Sequence, residues 1–193
     1  MAADDAPGGR PIVLIDACVL INLAASRHAD AVLGRVPWSG AIVAAVQREV
    51  HLVRRGGVGD DADEREPLSL ESLVRSGGLA ILEPTDDELE AFVVLSQVLG
   101  DGEAMTIAVA LARGYGVATD DRKARHLIGE RVSLLSTLDL MRAWADAAQV
   151  PDEQMGQVLI DIGERGAYIP SRAHPLRGWW DRLVATEQRA EDR

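Results

Sequence analysis

Short β-branched runs alternating with segments of helical period predict an α/β fold, with a mostly parallel central sheet and helices on both faces. Two further observations support it. Apolar residues make up 47% of the 193-residue chain and aromatics only 4%. The core must therefore be built from Ala, Val, Leu and Ile, which suits helices packed on a buried parallel sheet. Two of the expected strands also run directly into carboxylates, as strands do when they feed a site at the edge of a sheet.

The elements follow in order. Ile12 to Ile15 is a β-branched run read as a buried strand that stops at Asp16. Helix-forming residues follow from Val19 to Ala25. Ala41 to Val53 places Ile42, Val46, Val50 and Val53 on one helical face. Gly77 and Gly78 open a strand at Leu79 to Leu82. Thr85 and Glu88 have capping-box spacing and begin a helix reaching about Leu99. A helix opened by Asp101-Gly-Glu103 carries Ala104, Ile107, Ala108 and Leu111 on one face, and Gly114 and Gly116 end it. Val117 to Thr119 is a strand stopping at Asp120 and Asp121. A helix from Arg122 to Ile128, a strand at Val132 to Leu135, and helices at Leu138 to Ala148 and Asp152 to Arg165 complete the pattern. The expected organisation is a flexible N-terminus (1–10), a single domain (11–185) with its core at 11–148 and a helical extension at 149–185, and a flexible tail (186–193). The Gly-rich, acidic stretch from Gly56 to Glu66 reads as a solvated loop inside the domain or as a mobile lid.

The bulk numbers narrow the function. No apolar run approaches the roughly 18 residues a membrane span needs, and residues 1–10 lack the apolar stretch of a signal peptide. The single Cys18 allows no internal disulfide. A cytoplasmic protein is expected. A formal net charge of −11 argues against coating nucleic acid by bulk attraction. It does not argue against an enzyme that meets its substrate through metal ions.

The chemistry should gather at the carboxyl ends of the strands. Asp16 ends the first strand and Asp120 and Asp121 end a later one. Glu103, at the start of the helix feeding that later strand, can face the same crevice, and Glu49 can reach its rim. Each also has a structural alternative. Asp16 and Asp121 are well placed as helix N-caps, Glu103 suits a first helical turn, and Glu49 can pair with Arg48. Capping does not explain why two separate strands deliver acids to one edge. His28, His51 and His126 have no spacing that suggests a zinc site. Asp16-Ala-Cys18 lacks the second Asp that a haloacid-dehalogenase-type phosphatase needs, and neither Lys nor Thr stands where a phosphotransfer receiver requires it.

The segment Val13-Leu-Ile-Asp-Ala-Cys-Val-Leu-Ile-Asn-Leu23 resembles the opening strand and turn of PIN-domain nucleases. Gly102-Glu-Ala-Met-Thr-Ile-Ala-Val-Ala-Leu-Ala112, followed by Val117-Ala-Thr-Asp-Asp-Arg-Lys-Ala-Arg125, resembles their later helix and strand, most of all in the branch holding many VapC-type toxins. The resemblance covers roughly 11–148. It implies a PIN-like fold and a Mg2+- or Mn2+-dependent endoribonuclease, with Asp16, Glu49, Glu103 and Asp121 as the catalytic acids. Metal would be held by Asp16, Glu103 and Asp121, with Asp120 beside them, and Asn22 would steady Asp16. Cys18 stands where the family usually has a small hydroxyl residue. Arg122, Lys123 and Arg125 are the candidate phosphate contacts, with Arg54 and Arg55 a second pair. The expected partners are an RNA substrate, a second copy in a homodimer and an antitoxin-like inhibitor with basic residues, met through the acidic surface and Trp179-Trp180. The alternative from a different class is a PIN-like scaffold without catalysis that binds a protein or RNA.

Overall fold

A computed structural model describes residues 9–50, 52–54, 64–68 and 70–191. The first strand, β1 (Ile12–Ile15), leads into α1 (Ala17–Ala25) and α2 (Ala29–Arg35), then β2 (Ser39–Val43) and α3 (Ala44–Glu49). A short antiparallel hairpin pairs β3 (Leu52–Arg54) with β4 (Arg65–Pro67). Next come α4 (Leu70–Arg75), β5 (Leu79–Leu82), α5 (Asp86–Leu95), α6 (Asp101–Arg113), β6 (Gly116–Ala118), α7 (Arg122–Ile128) and β7 (Leu134–Leu135). Three helices, α8 (Thr137–Ala148), α9 (Asp152–Arg165) and α10 (Arg177–Glu191), close the chain.

Five strands form the central sheet in the order β5-β2-β1-β6-β7, and every pairing within it is parallel. The chain moves outward from β1 to β2 and β5, then returns past β1 to β6 and β7. Because crossovers are right-handed, the outward connections lie on one face and the return through α5, α6 and α7 on the other. Consistent with this, α8 packs on α1 and α2, α9 on α1, and α10 on α9, while α6 packs on β1, β2 and β6. The direction of travel reverses between β1 and β6. That is the switch point at which an open parallel sheet leaves a crevice beyond its carboxyl ends.

The core is aliphatic as its composition requires. Leu14, Ile15, Leu20, Leu23, Ile42 and Ile107 are fully buried. Ala104, Ala108 and Ala110 of α6 are buried as well. Gly114 ends α6 at φ +71°, a left-handed conformation that favours glycine.

Several expectations are corrected. The stretch from Ala41 to Val53 is not one helix: residues up to Val43 form the inner strand β2, and only Ala44–Glu49 is helical. Ile42 therefore faces the core from a strand. A helical stripe and a buried strand are hard to distinguish over so few residues. The last expected strand shortens to Leu134–Leu135, and α10 runs as far as Glu191. Most of the acidic loop from Gly56 to Glu66, with Arg55, lies outside the described residues, as does His51. Trp179 and Trp180, for which the sequence allows either packing or a partner interface, are buried, with Trp180 edge-on to Tyr168, as the packing alternative expects. Among the described residues, no helix is long and apolar enough to cross a membrane.

Candidate metal centre

Asp16 follows β1 at the switch point and is buried, 3% exposed. Its backbone N–H still donates to Ala118 O across the β1–β6 pair, at 3.0 Å. The side chain caps α1 by accepting from Ala17 N at 2.8 Å. Its other oxygen accepts from Thr119 Oγ1 at 2.8 Å and from Cys18 Sγ at 3.2 Å. The capping reading of Asp16 is thus correct in geometry. A cap needs only an exposed oxygen on N–H groups, however, and here the carboxylate is sunk between two strands and held by three donors.

Thr119 links the two strand ends. Its hydroxyl donates to Asp16 and accepts from Asp121 N at 3.1 Å. Asp121 in turn caps α7 through Ala124 N at 2.8 Å and is half-buried. Sequence reasoning overlooked Thr119. The available signal was a hydroxyl residue placed immediately before a paired-acid strand end.

Glu103 enters from the first turn of α6. Burial pushes its carboxyl above the usual range, and the nearby charges of Asp16, Asp121 and, less strongly, Glu49 add to the effect. All four acids therefore share one electrostatic neighbourhood. Glu49, exposed at the end of α3, accepts from Gly102 N at 2.8 Å. A Cβ at position 102 would lie 2.5 Å from Glu49 Oε2, so glycine is required for this approach. Among the described residues, none of these four carboxylates forms an ion pair.

Asp120 takes a different direction. It accepts from Thr137 Oγ1 at 2.5 Å and Thr137 N at 3.2 Å, and from Tyr168 OH at 3.4 Å. Burial raises its pKa, and the Thr137 and Tyr168 bonds oppose that rise. Asn22 donates to Asp120 at 3.3 Å and Thr137 at 3.0 Å, so it steadies Asp120 and not Asp16 as the sequence suggested. Successive residues leaving a strand point to opposite sides, which sends Asp121 toward Glu103 and Asp120 toward α8. Cys18 supplies the hydrogen bond expected of a hydroxyl. Its thiol is pushed up to about 12, mainly by burial and then by Asp16, so it stays protonated and donates.

The basic residues behave individually. Arg122 is exposed at the start of α7. Lys123 is also exposed, with its ammonium on Val98 O. Arg125 donates from Nη1 to Thr119 O and Leu135 O, both at 2.9 Å, tying together the ends of β6 and β7. Its guanidinium is thus a brace for the strand ends that carry the acids.

An all-oxygen donor set with surplus negative charge suits a hard divalent cation. Glu103 has a raised proton affinity chiefly because it is partly buried, and the negative charges of Asp16 and Asp121 add to it. Asp16, Glu103 and Asp121, with Glu49 at the rim, would hold the ion. As the side chains stand, no three His, Cys, Asp or Glu among the described residues are close enough together to hold one.

A parallel α/β sheet that collects acids at its switch point defines a class of protein in which polar ligands or ions bind beyond the strand ends. Within that class, a family model described as a PIN domain matches residues 12–174, and the chain belongs to this family, which has a nuclease-like fold. No match was found among curated proteins or among solved structures.

Proposed function

We propose that the chain is a Mg2+- or Mn2+-dependent endoribonuclease of the PIN type, akin to the VapC-type toxins of toxin–antitoxin pairs. One observation carries the reading: Glu103, half-buried at the start of α6, lies within the electrostatic reach of Asp16 and Asp121 from two separate strand ends, and among the described residues none of the three forms an ion pair. A bound divalent ion there would supply a water made acidic enough to attack a phosphodiester. The protein's own contribution is positional. Thr119 fixes Asp16 relative to Asp121, the α1 and α7 caps hold both carboxylates, and Gly102 lets Glu49 close the rim. Arg122, directly after Asp121, is the side chain best placed to meet a backbone phosphate, and an inhibitor partner would insert a basic side chain among the acids.

The test is calorimetric titration of Mn2+ together with cleavage of a labelled single-stranded RNA, with and without EDTA. Metal binding that disappears in Asp121→Asn, and cleavage abolished by EDTA, are expected. Full cleavage in excess EDTA would overturn the metal mechanism. A scaffold that binds a protein or RNA without catalysis is the second reading. It is favoured by the absence, among the described residues, of three acids within reach of one ion, and it predicts no carboxylate-dependent Mn2+ binding.

A further inference from the structure

A cavity of about 510 Å³ opens on the Asp120 side of the strand ends, lined by Asp120 and Arg122 on either side of Asp121 in the chain but by none of the four clustered acids, and none of the roles above uses it. It lies at the same carboxyl edge of the sheet, beyond β6 and β7. Asp120 and Ser136, the residues following Thr119 and Leu135, line it together with Arg122. The opposite wall comes from the segment between α9 and α10, including Tyr168, Ile169, Ser171 and His174.

The wall is held in place rather than loosely draped. Tyr168 is anchored to Asp120 through its hydroxyl, and Arg177 Nη1 donates to Pro170 O at 2.6 Å. His174 accepts from Leu176 N at Nδ1, at 3.1 Å, so its proton is on Nε2, which donates to Ser136 Oγ at 2.9 Å. Ser136 in turn donates to Asp139 Oδ2 at 2.7 Å. Despite its Ser-His-Asp composition, this chain is not a nucleophilic triad. A nucleophilic serine must give its proton to the histidine, whereas here the histidine donates to the serine, and Ser136 is 2% exposed. The chain fixes the wall and nothing more.

Ile169 is the exception among large apolar residues of this region. It is 76% exposed on the lip of an otherwise braced cavity. The cavity therefore offers an exposed aliphatic lip, a fixed aromatic residue, hydroxyl groups and Arg122, the residue that follows Asp121 in the chain. A concave site of this size, part apolar with a few fixed polar groups, suits a planar heterocycle attached to a phosphate.

We infer that this cavity receives one unpaired nucleotide of the RNA, adjacent to the phosphate presented to the acid cluster. The base rests against Ile169 and the braced wall, and Arg122 meets the phosphate between cavity and cluster. The inference rests on the nuclease reading and names the subsite through which that reading selects single-stranded substrate.

The test measures RNA binding separately from metal binding. The probe is a fluorescent single-stranded pentanucleotide, titrated in EDTA against the wild type, Ile169→Asp and Ser171→Trp. Both positions are exposed, so the fold should tolerate either change, and a melting curve checks that it does. Each variant should bind the RNA about tenfold more weakly, the effect of losing one base contact. Mn2+ should still stabilise each variant as it does the wild type. Equal RNA affinity in the wild type and both variants would overturn the proposal, as would a wild type that binds no RNA. Loss of Mn2+ binding in the wild type with the RNA effect intact would remove the nuclease reading and leave the nucleotide site standing.

Discussion

The two ends of α6 hold carboxylates in opposite circumstances. At its C-terminal end, Arg113 donates from Nε to Glu88 Oε1 at 2.7 Å and from Nη2 to Oε2 at 2.8 Å, a two-pronged pair reinforced by Thr85 N. That arrangement holds the Glu88 carboxyl below the usual range, chiefly through the Arg113 hydrogen bonds. At its N-terminal end, Glu103 is half-buried, and its carboxyl is held above that range by burial first and then by the charges of Asp16, Asp121 and Glu49. The same residue type, in the first turn of a helix in both cases, is satisfied at one place and frustrated at the other. Satisfaction serves the fold, because Glu88 and Arg113 clamp α5 to α6. Frustration is the expected mark of a site that waits for a ligand to complete it.

The comparison breaks most sharply by removing an acid from the frustrated end. Asp121→Asn should keep the α7 cap, since Asn also accepts from Ala124 N. Cleavage of RNA should nevertheless fall at least about a hundredfold, the scale of losing a charge that stabilises the transition state. Single-turnover cleavage with Mn2+ measures it, and an unchanged rate would exclude Asp121 from the site.

At the satisfied end the expected effect is on stability. Glu88→Gln leaves the Arg113 guanidinium without its carboxylate in a setting where Glu88 is 3% and Arg113 22% exposed. A loss of about 2–3 kcal/mol should follow, below the range for a fully buried pair because Arg113 retains some solvent. Urea unfolding reads it, and metal binding by the folded protein should be unaffected.

Acid titration sharpens the contrast, because the two signs differ. Glu103 has a raised folded pKa, so its contribution is complete below the unfolded value and is lost as pH rises through the folded one. Glu88 has a lowered folded pKa, so its contribution is present above the unfolded value near 4.5 and is lost as pH falls through the folded one. Without metal, stability should therefore rise slightly on acidification from neutral toward that value and then fall. Glu103→Gln should remove the rise and increase the metal-free melting temperature at pH 7 by about 2–4 °C, the equivalent of roughly 1 kcal/mol in a chain of this size. Glu88→Gln should flatten the acid fall. If Glu103→Gln melts lower than the wild type at pH 7, the like-charge account of that end fails.

The smallest stability effect should come from Gly102→Ala. The added Cβ meets only the far end of the flexible Glu49 side chain, so stability should change by less than about 0.5 kcal/mol. Glu49 must nonetheless withdraw from the α6 N-terminus, and cleavage should fall about tenfold, a cost typical of misplacing one supporting group. A melting curve unchanged alongside normal cleavage would show that Glu49 is not needed at the rim.

Much of this was legible in the chain. The α7 and α9 boundaries match the sequence reading, and the β1, β5 and α6 segments lie where periodicity and glycine placement put them. The acids at Asp16, Glu103 and Asp121 could be named because strand ends and first helical turns are local features. The inner strand β2 could not be recognised, because Ser39–Val43 runs without a break into a helix of similar apolar content. Asn22 was assigned to the wrong carboxylate for a related reason. Its partners Asp120 and Thr137 are about a hundred residues away in sequence, and nothing local indicates which acid it meets.

By itself, then, the sequence determined an α/β chain, the aliphatic character of its core and which residues leave strands as acids, since all of these follow from short-range periodicity and side-chain chemistry. Tertiary structure decided the strand order that sets β1 beside β6, and with it the neighbourhood of Asp16, Thr119 and Asp121. It also decided that Asp120 serves the α8 side, that Arg125 braces the strand ends, and that Glu49 reaches the site through Gly102. Each of those outcomes is a pairing between distant segments. Such pairings are selected by how well whole surfaces bury together, and a local pattern holds no record of which surface its neighbour will be.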